Sequence, residues 1–84
     1  MQNNSILNCY SDLYRASYSL AVNPHGQNHL IFLSHAIKNL KLNKFKKTLV
    51  KIQKKLVSKK VLEQEIPYLA DQILTTGILL KQIQ

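Results

Sequence analysis

The 84-residue chain is short of cysteine, glycine, proline and acid, and each shortage excludes something. Its one cysteine, Cys9, cannot form an internal disulfide and points to a reducing compartment. Two glycines and two prolines exclude a collagen-like or disordered low-complexity chain. With only Gly26 and Gly77 there is no glycine-rich phosphate loop. The longest purely apolar stretch, Leu30 to Leu33, is four residues, far below the ~18–20 that span a bilayer. Met1 to Ser5 contain no basic side chain and lead into no long apolar run, so no secretory signal is expected. The expectation is a soluble, cytoplasmic protein in which residues 1–84 form one domain with a single small core.

Acid is scarce where base is dense. The net charge is +8, and residues 38–60 alone hold ten lysines and no Asp or Glu. Residues 1–37 are neutral, with Asp12 against Arg15. Residues 61–84 sum to −2, from Glu63, Glu65, Asp71 and Lys81. A partner selected by electrostatics therefore meets the middle segment first. Eleven lysines stand against one arginine. Arginine reads guanine edges and grips phosphate bidentately, whereas lysine acts as a point charge, so contact with nucleic acid would hold backbone rather than read sequence.

Helical periodicity runs through four segments, and no sustained alternation marks a strand. The predicted helices are 5–22, 28–40, 43–57 and 62–83. In the first, Ile6, Cys9, Leu13, Ala16 and Leu20 recur at helical steps, with Tyr10, Tyr14 and Tyr18 as a second stripe. Asn4 or Ser5 can cap its start, and Asn23-Pro24-His25-Gly26 supplies turn chemistry at its end. The second is capped by Asn28 and presents Leu30, Leu33, Ile37 and Leu40. The next repeat, Leu42, Phe45, Leu49, Ile52 and Leu56, is out of phase with it. A tight turn with Asn43 as cap resolves the mismatch, with one distorted long helix over 38–57 as the alternative. The fourth runs Leu62, Ile66, Leu69, Ile73, Thr76, Leu80, Ile83, with a start or kink at Pro67. Its apolar richness makes it the expected central helix. The fold class is all-α, a compact antiparallel bundle of about four helices with short loops.

The third helix is sharply two-sided. At about 100° per residue, Leu49, Ile52 and Leu56 fall within about 40° of Phe45, while Lys44, Lys47, Lys51, Lys54 and Lys55 occupy about 180–280°. Read blandly, this ridge is a solvated face that keeps a small protein in solution. Read functionally, it is an anionic docking surface, and Lys44, Lys47, Lys51, Lys54 and Lys55 are the candidate binding residues. The tyrosines read as core and rim rather than base-stacking platforms, because they sit on other segments than the ridge.

Other residue types offer less. His25 and His29 are four apart, but Gly26 lies in a turn between them and a zinc site needs further ligands, so no metal is expected. Cys9 falls in an apolar repeat, where a cysteine is a small hydrophobe. No catalytic constellation is present, so neither an enzyme nor a cofactor is expected. Ser34-His35-Ala36-Ile37-Lys38-Asn39 resembles the phosphoacceptor segment of histidine phosphotransfer domains and sensor kinases, in which a lysine or arginine follows the histidine by three residues. The resemblance implies His35 as phosphoacceptor and Lys38 as the cation that neutralises the phosphoryl group. Asn39 stands where phosphotransfer domains carry glycine, and Ala36 where sensor kinases carry an acid. In size, charge and helix count the chain also resembles bacteriocin immunity proteins.

The leading expectation is a small adaptor or regulatory protein that docks its lysine-rich third helix on an acidic protein partner. Sequence-independent nucleic-acid binding is the alternative, and a phosphotransfer module using His35 is the third. No membrane span is expected. A second apolar stripe, such as Val50 and Val57 or the tyrosines, leaves room for a homodimer.

Overall fold

Small side chains decide how closely the helices of this protein approach one another. The computed structural model describes the backbone of residues 2–40 and 43–82 as four helices: α1 (Gln2–Val22), α2 (Asn28–Asn39), α3 (Asn43–Ser58) and α4 (Ile66–Gln82). A single 3-10 turn, Glu63–Glu65, precedes α4, and there is no strand among the described residues. With only short connections between them, successive helices run antiparallel. The fold is an all-α bundle.

On α1, Cys9, Leu13, Ala16 and Leu20 are buried at 4-3-4 spacing, the inward stripe expected of them. Two of the four are small, and they allow tight seams on both sides of the helix. Toward α2, the Cys9 thiol lies 3.8 Å from the Ala36 carbonyl. Toward α4, the Ser17 hydroxyl donates to the Ala70 carbonyl at 2.8 Å, and Gly77 backs onto Leu13 and Tyr10. The central helix is therefore α1, packed along both α2 and α4, and not α4 as its apolar richness suggested. α4 has apolar residues to spare: Ile78 and Leu79 are exposed.

Among the described residues α3 brings its backbone close to α2 and α4 but not to α1. It inserts Phe45, Leu49 and Ile52 into the shared core, with Leu56 half-buried at its end. Large side chains along this seam hold the α3 backbone farther from its neighbours than Ala and Gly hold α1. Toward α2 the seam is pinned at its edge by Gln53, which donates to Ser34 at 2.9 Å. Toward α4 it is shallower still.

Several boundaries and faces differ from the sequence expectation. α1 starts at Gln2, before the expected caps. Asn28 is the first residue of α2 rather than its cap, and Gln27 stands at that cap without a side-chain bond. The inward stripe of α2 is His29, Leu33, Ala36 and Leu40, one position off the expected Leu30 and Ile37, which are half-buried. Leu40 leaves the helix with extended backbone (φ −83°, ψ 127°), so α2 and α3 are two separate helices and not one long helix. At Pro67 α4 starts rather than kinks: proline is its second residue, where a missing N–H costs nothing. Leu62 lies before the 3-10 turn, exposed rather than in the stripe. Tyr14 and Tyr18 face solvent, leaving Tyr10 as the only half-buried member of that set. The expected caps Asn4, Ser5 and Asn43, the apolar positions Ile6, Leu42 and Ile83, and Lys41 lie outside the described side chains.

No helix among the described residues is long and apolar enough to cross a membrane.

Candidate functional site

Burial of the Phe45–Leu49–Ile52 seam turns the opposite face of α3 outward, and with it Lys44, Lys47, Lys51, Lys54 and Lys55, all exposed. Steps of three and four residues place these ammonium groups on one strip, where they repel one another. No acid lies on α3, so nothing on the helix offsets that repulsion; packing of the seam holds the strip together. Lys44 also stands 5.8 Å from the centroid of the Phe45 ring, close enough for cation–π attraction.

The shallow seam between α3 and α4 opens into a solvent-facing groove of about 790 Å³. Its floor is apolar, made by Ile52 from α3 and Leu69 from α4, only 4% and 3% exposed. Lys51, Lys54 and Lys55 form the α3 rim, and Lys60 lies at the end where α3 stops. The α4 wall is Tyr68 and Gln72, with Tyr68 63% exposed. Gln72 donates to the phenol oxygen at 3.2 Å, which leaves the phenol's own hydrogen free to be donated elsewhere. Of the two hydroxyl residues on the α3 side, Ser58 donates back to the Lys55 carbonyl at 2.9 Å and Thr48 to that of Lys44 at 3.5 Å.

Among the described residues no acid lines the groove. One stands just outside: Glu65, in the 3-10 turn, lies 3.9 Å from the Lys55 ammonium. Lys55 is exposed and Glu65 partly so, and solvent screening leaves the pair worth about 0–1 kcal/mol. The groove is thus a cationic, donor-rich channel over an apolar floor, chemically suited to carboxylate or phosphate attached to an apolar body.

Three of the five expected lysines, Lys51, Lys54 and Lys55, come together at this rim, while Lys44 and Lys47 continue the strip toward the start of α3, outside the groove. Lys60, Tyr68 and Gln72 were not singled out by the sequence reading. Tyr68 corrects the expectation that every tyrosine stands apart from the lysine ridge. It belongs to another helix, but the α3–α4 contact brings it across. Neighbouring positions of consecutive helices joined by a short connection were the only available signal.

The other candidates are scattered. His35 and Lys38 are both exposed on α2, one turn apart, and Asn39 donates to the His35 backbone carbonyl at 3.0 Å. His25 is exposed in the turn after α1 and lies 4.0 Å from Glu63, whereas His29 is buried in α2. Among the described residues no three His, Cys, Asp or Glu side chains converge as metal ligands would. Burial, and secondarily the charge of Asp12, pushes the Cys9 thiol above its ordinary pKa, the reverse of what activates a nucleophile. No family model, curated protein or solved structure matches the chain.

Proposed function

We propose that this protein is a small helical binding module that docks the lysine face of α3 on an acidic protein partner. The observation that carries the reading is the groove: lysines without an acid on their own helix gather at the rim of an apolar-floored channel. A purely solubilising charge would need no such floor, since a strip that only repels other molecules works equally well over a filled surface. Long-range attraction by the strip speeds encounter, and the groove supplies the short-range contact.

A second reading, sequence-independent nucleic-acid binding, draws on Tyr68, exposed beside Lys51, Lys54 and Lys55. An aromatic face next to a cationic rim is how single strands are held without base readout.

One titration separates the two. A labelled acidic peptide and labelled random-sequence duplex and single strands are titrated from low to physiological salt. The proteins compared are wild type and the Lys47/Lys51/Lys54→Gln variant. Docking on acidic protein predicts retention of the peptide by wild type and loss in the variant. Nucleic-acid binding predicts single-strand affinity with a log–log salt slope of about −3.5, or duplex affinity with a slope of about −4.5, if five phosphates are neutralised. Absence of any binding at low salt overturns both.

A further inference from the structure

We infer that the partner element seated in the α3–α4 groove is an amphipathic helix bearing carboxylates, and this inference rests on the acidic-partner reading. The walls of the groove are themselves helices, whose backbone donors and acceptors are consumed along their own axes. An extended peptide laid between them would find no ladder to complete and would strand its own N–H and C=O groups over the apolar floor. A helix satisfies its backbone internally and offers only side chains, which is what this groove can receive.

Spacing agrees. Lys51 and Lys55 are four residues apart on α3, one turn, with Lys54 between them. A helix packed alongside at roughly 8–10 Å repeats on the same ~5.4 Å pitch, so Glu or Asp at i and i+4 meets Lys51 and Lys55 together. The α3 wall runs from Thr48 to Ser58, about 15 Å at 1.5 Å per residue, which sets the occupant at about three turns. Apolar side chains on its inner face rest on the exposed Tyr68 ring and the aliphatic stems of Lys51 and Lys55, above the buried Ile52 and Leu69. Tyr68, whose oxygen already accepts from Gln72, directs its remaining O–H to a carboxylate from the opposite wall. Glu65 beside Lys55 shows a carboxylate already resting at this rim.

Rival occupants fit less of the site. A free inorganic anion makes no use of the apolar floor. A nucleic-acid duplex neutralises the lysines but is too wide to enter between two helices. A second copy of this chain brings like charge on its four α-helices, where α1 holds Asp12 with Arg15 and α4 holds Asp71 with Lys81; its acidic excess, Glu63 and Glu65, sits on a single 3-10 turn too short to fill the groove.

The test uses the full chain and synthetic helices of about 14 residues. One peptide carries Glu at i, i+4 on one face and Leu on the other. A second has the same composition, scrambled to destroy the two faces, and a DNA duplex is the third ligand. Fluorescence anisotropy gives affinities, and amide and methyl NMR shifts locate the site. The expected result is that the two-faced peptide binds about tenfold or more tightly than the scramble. It should shift Ile52, Leu69 and Tyr68, and weaken on Tyr68→Ala and on Lys55→Glu, both exposed positions whose replacement leaves the core intact. Equal binding of the two peptides overturns the helix inference while sustaining the acidic-partner reading. Shifts confined to Lys44 and Lys47 do the same. Duplex binding without either peptide overturns both, as does no binding at all.

Discussion

The hydroxyl of Ser17 donates at 2.8 Å to the carbonyl of Ala70, tying together positions 53 residues apart across the α1–α4 seam. Ser17 is buried, and a serine inside a helix ordinarily bonds back to its own preceding turn. Here the bond crosses to the neighbour instead, which requires the two backbones to be near. Ala70 supplies that nearness because its side chain ends at Cβ. Its carbonyl also belongs to the α4 interior, so removing the hydroxyl strands no acceptor. Ser17→Ala is expected to cost about 0.5–1 kcal/mol, the hydrogen bond less a small gain in helix propensity. Urea unfolding should show a lower midpoint with an unchanged slope. An unchanged or raised midpoint would remove the bond from any account of stability.

Gly77 marks the same seam two turns further along α4. A Cβ placed there would stand 3.3 Å from the Leu13 Cβ and 3.4 Å from Tyr10 Cδ1. The Leu13 Cβ is fixed to the α1 backbone and cannot swing aside, so the helices themselves must part. Gly77→Ala therefore forfeits the stabilisation of about 1 kcal/mol that alanine brings to an open helix position. Gly77→Val, with two further methyls, is expected to destabilise by about 1–3 kcal/mol, lowering the melting temperature by about 4–8 °C for each kcal/mol. Melting of Gly77→Val at or above the wild-type temperature would show that the seam is loose.

These two contacts also explain what was legible in the sequence. Apolar spacing located the helices and the inward seam of α3, because burial of one face is written directly into residue order. It misplaced the centre of the bundle. Counting apolar residues favours α4, but closeness is set by what is small, and Cys9, Ala16 and Ser17 suit α1 to two tight neighbours at once. On α2 it placed Leu33 and Leu40 correctly but named Leu30 and Ile37 where the neighbouring His29 and Ala36 face the core. At the candidate site, the lysine strip was visible from α3 alone. The groove was not, since Tyr68 and Gln72 become its wall only through the register of α4 against α3, a long-range property that no local pattern encodes.

His29 carries a pH prediction. It is 3% exposed, its Nδ1 has no hydrogen-bond partner, and burial lowers its pKa from the ordinary value of 6.5. The unfolded chain therefore binds a proton at a pH where the folded chain does not, and stability rises with pH across that window. Full stability is expected above about pH 6.5, with loss as the pH falls below it, levelling once the folded form is also protonated. Urea midpoints from pH 8 to 5 measure this directly. His29→Gln, which cannot titrate there, should flatten the profile. A wild-type midpoint flat over this range would place His29 in contact with water.

Lys59 is the one residue other than glycine with positive φ among the described residues, at 58°, immediately after the last residue of α3. Its N–H returns to the Leu56 carbonyl at 3.3 Å, closing the helix end in the left-handed conformation that glycine usually supplies. A lysine there carries steric cost from its Cβ. Lys59→Gly is expected to stabilise the fold by about 0.5–1 kcal/mol, the relief of that cost being partly offset by the greater freedom of glycine in the unfolded chain. Removing a lysine also relieves repulsion in a segment dense with positive charge, so charge and backbone must be separated. Lys59→Gln removes the same charge and keeps the strained backbone; it should leave the melting temperature nearly unchanged. Lys59→Val, β-branched, should lower it. Because Lys59 does not line the groove, none of the three should alter peptide binding, provided Lys60 keeps its place at the groove's end. If Gln and Gly stabilise equally, the gain comes from electrostatics. If Val alone weakens binding, the left-handed turn is what aims Lys60 at the site.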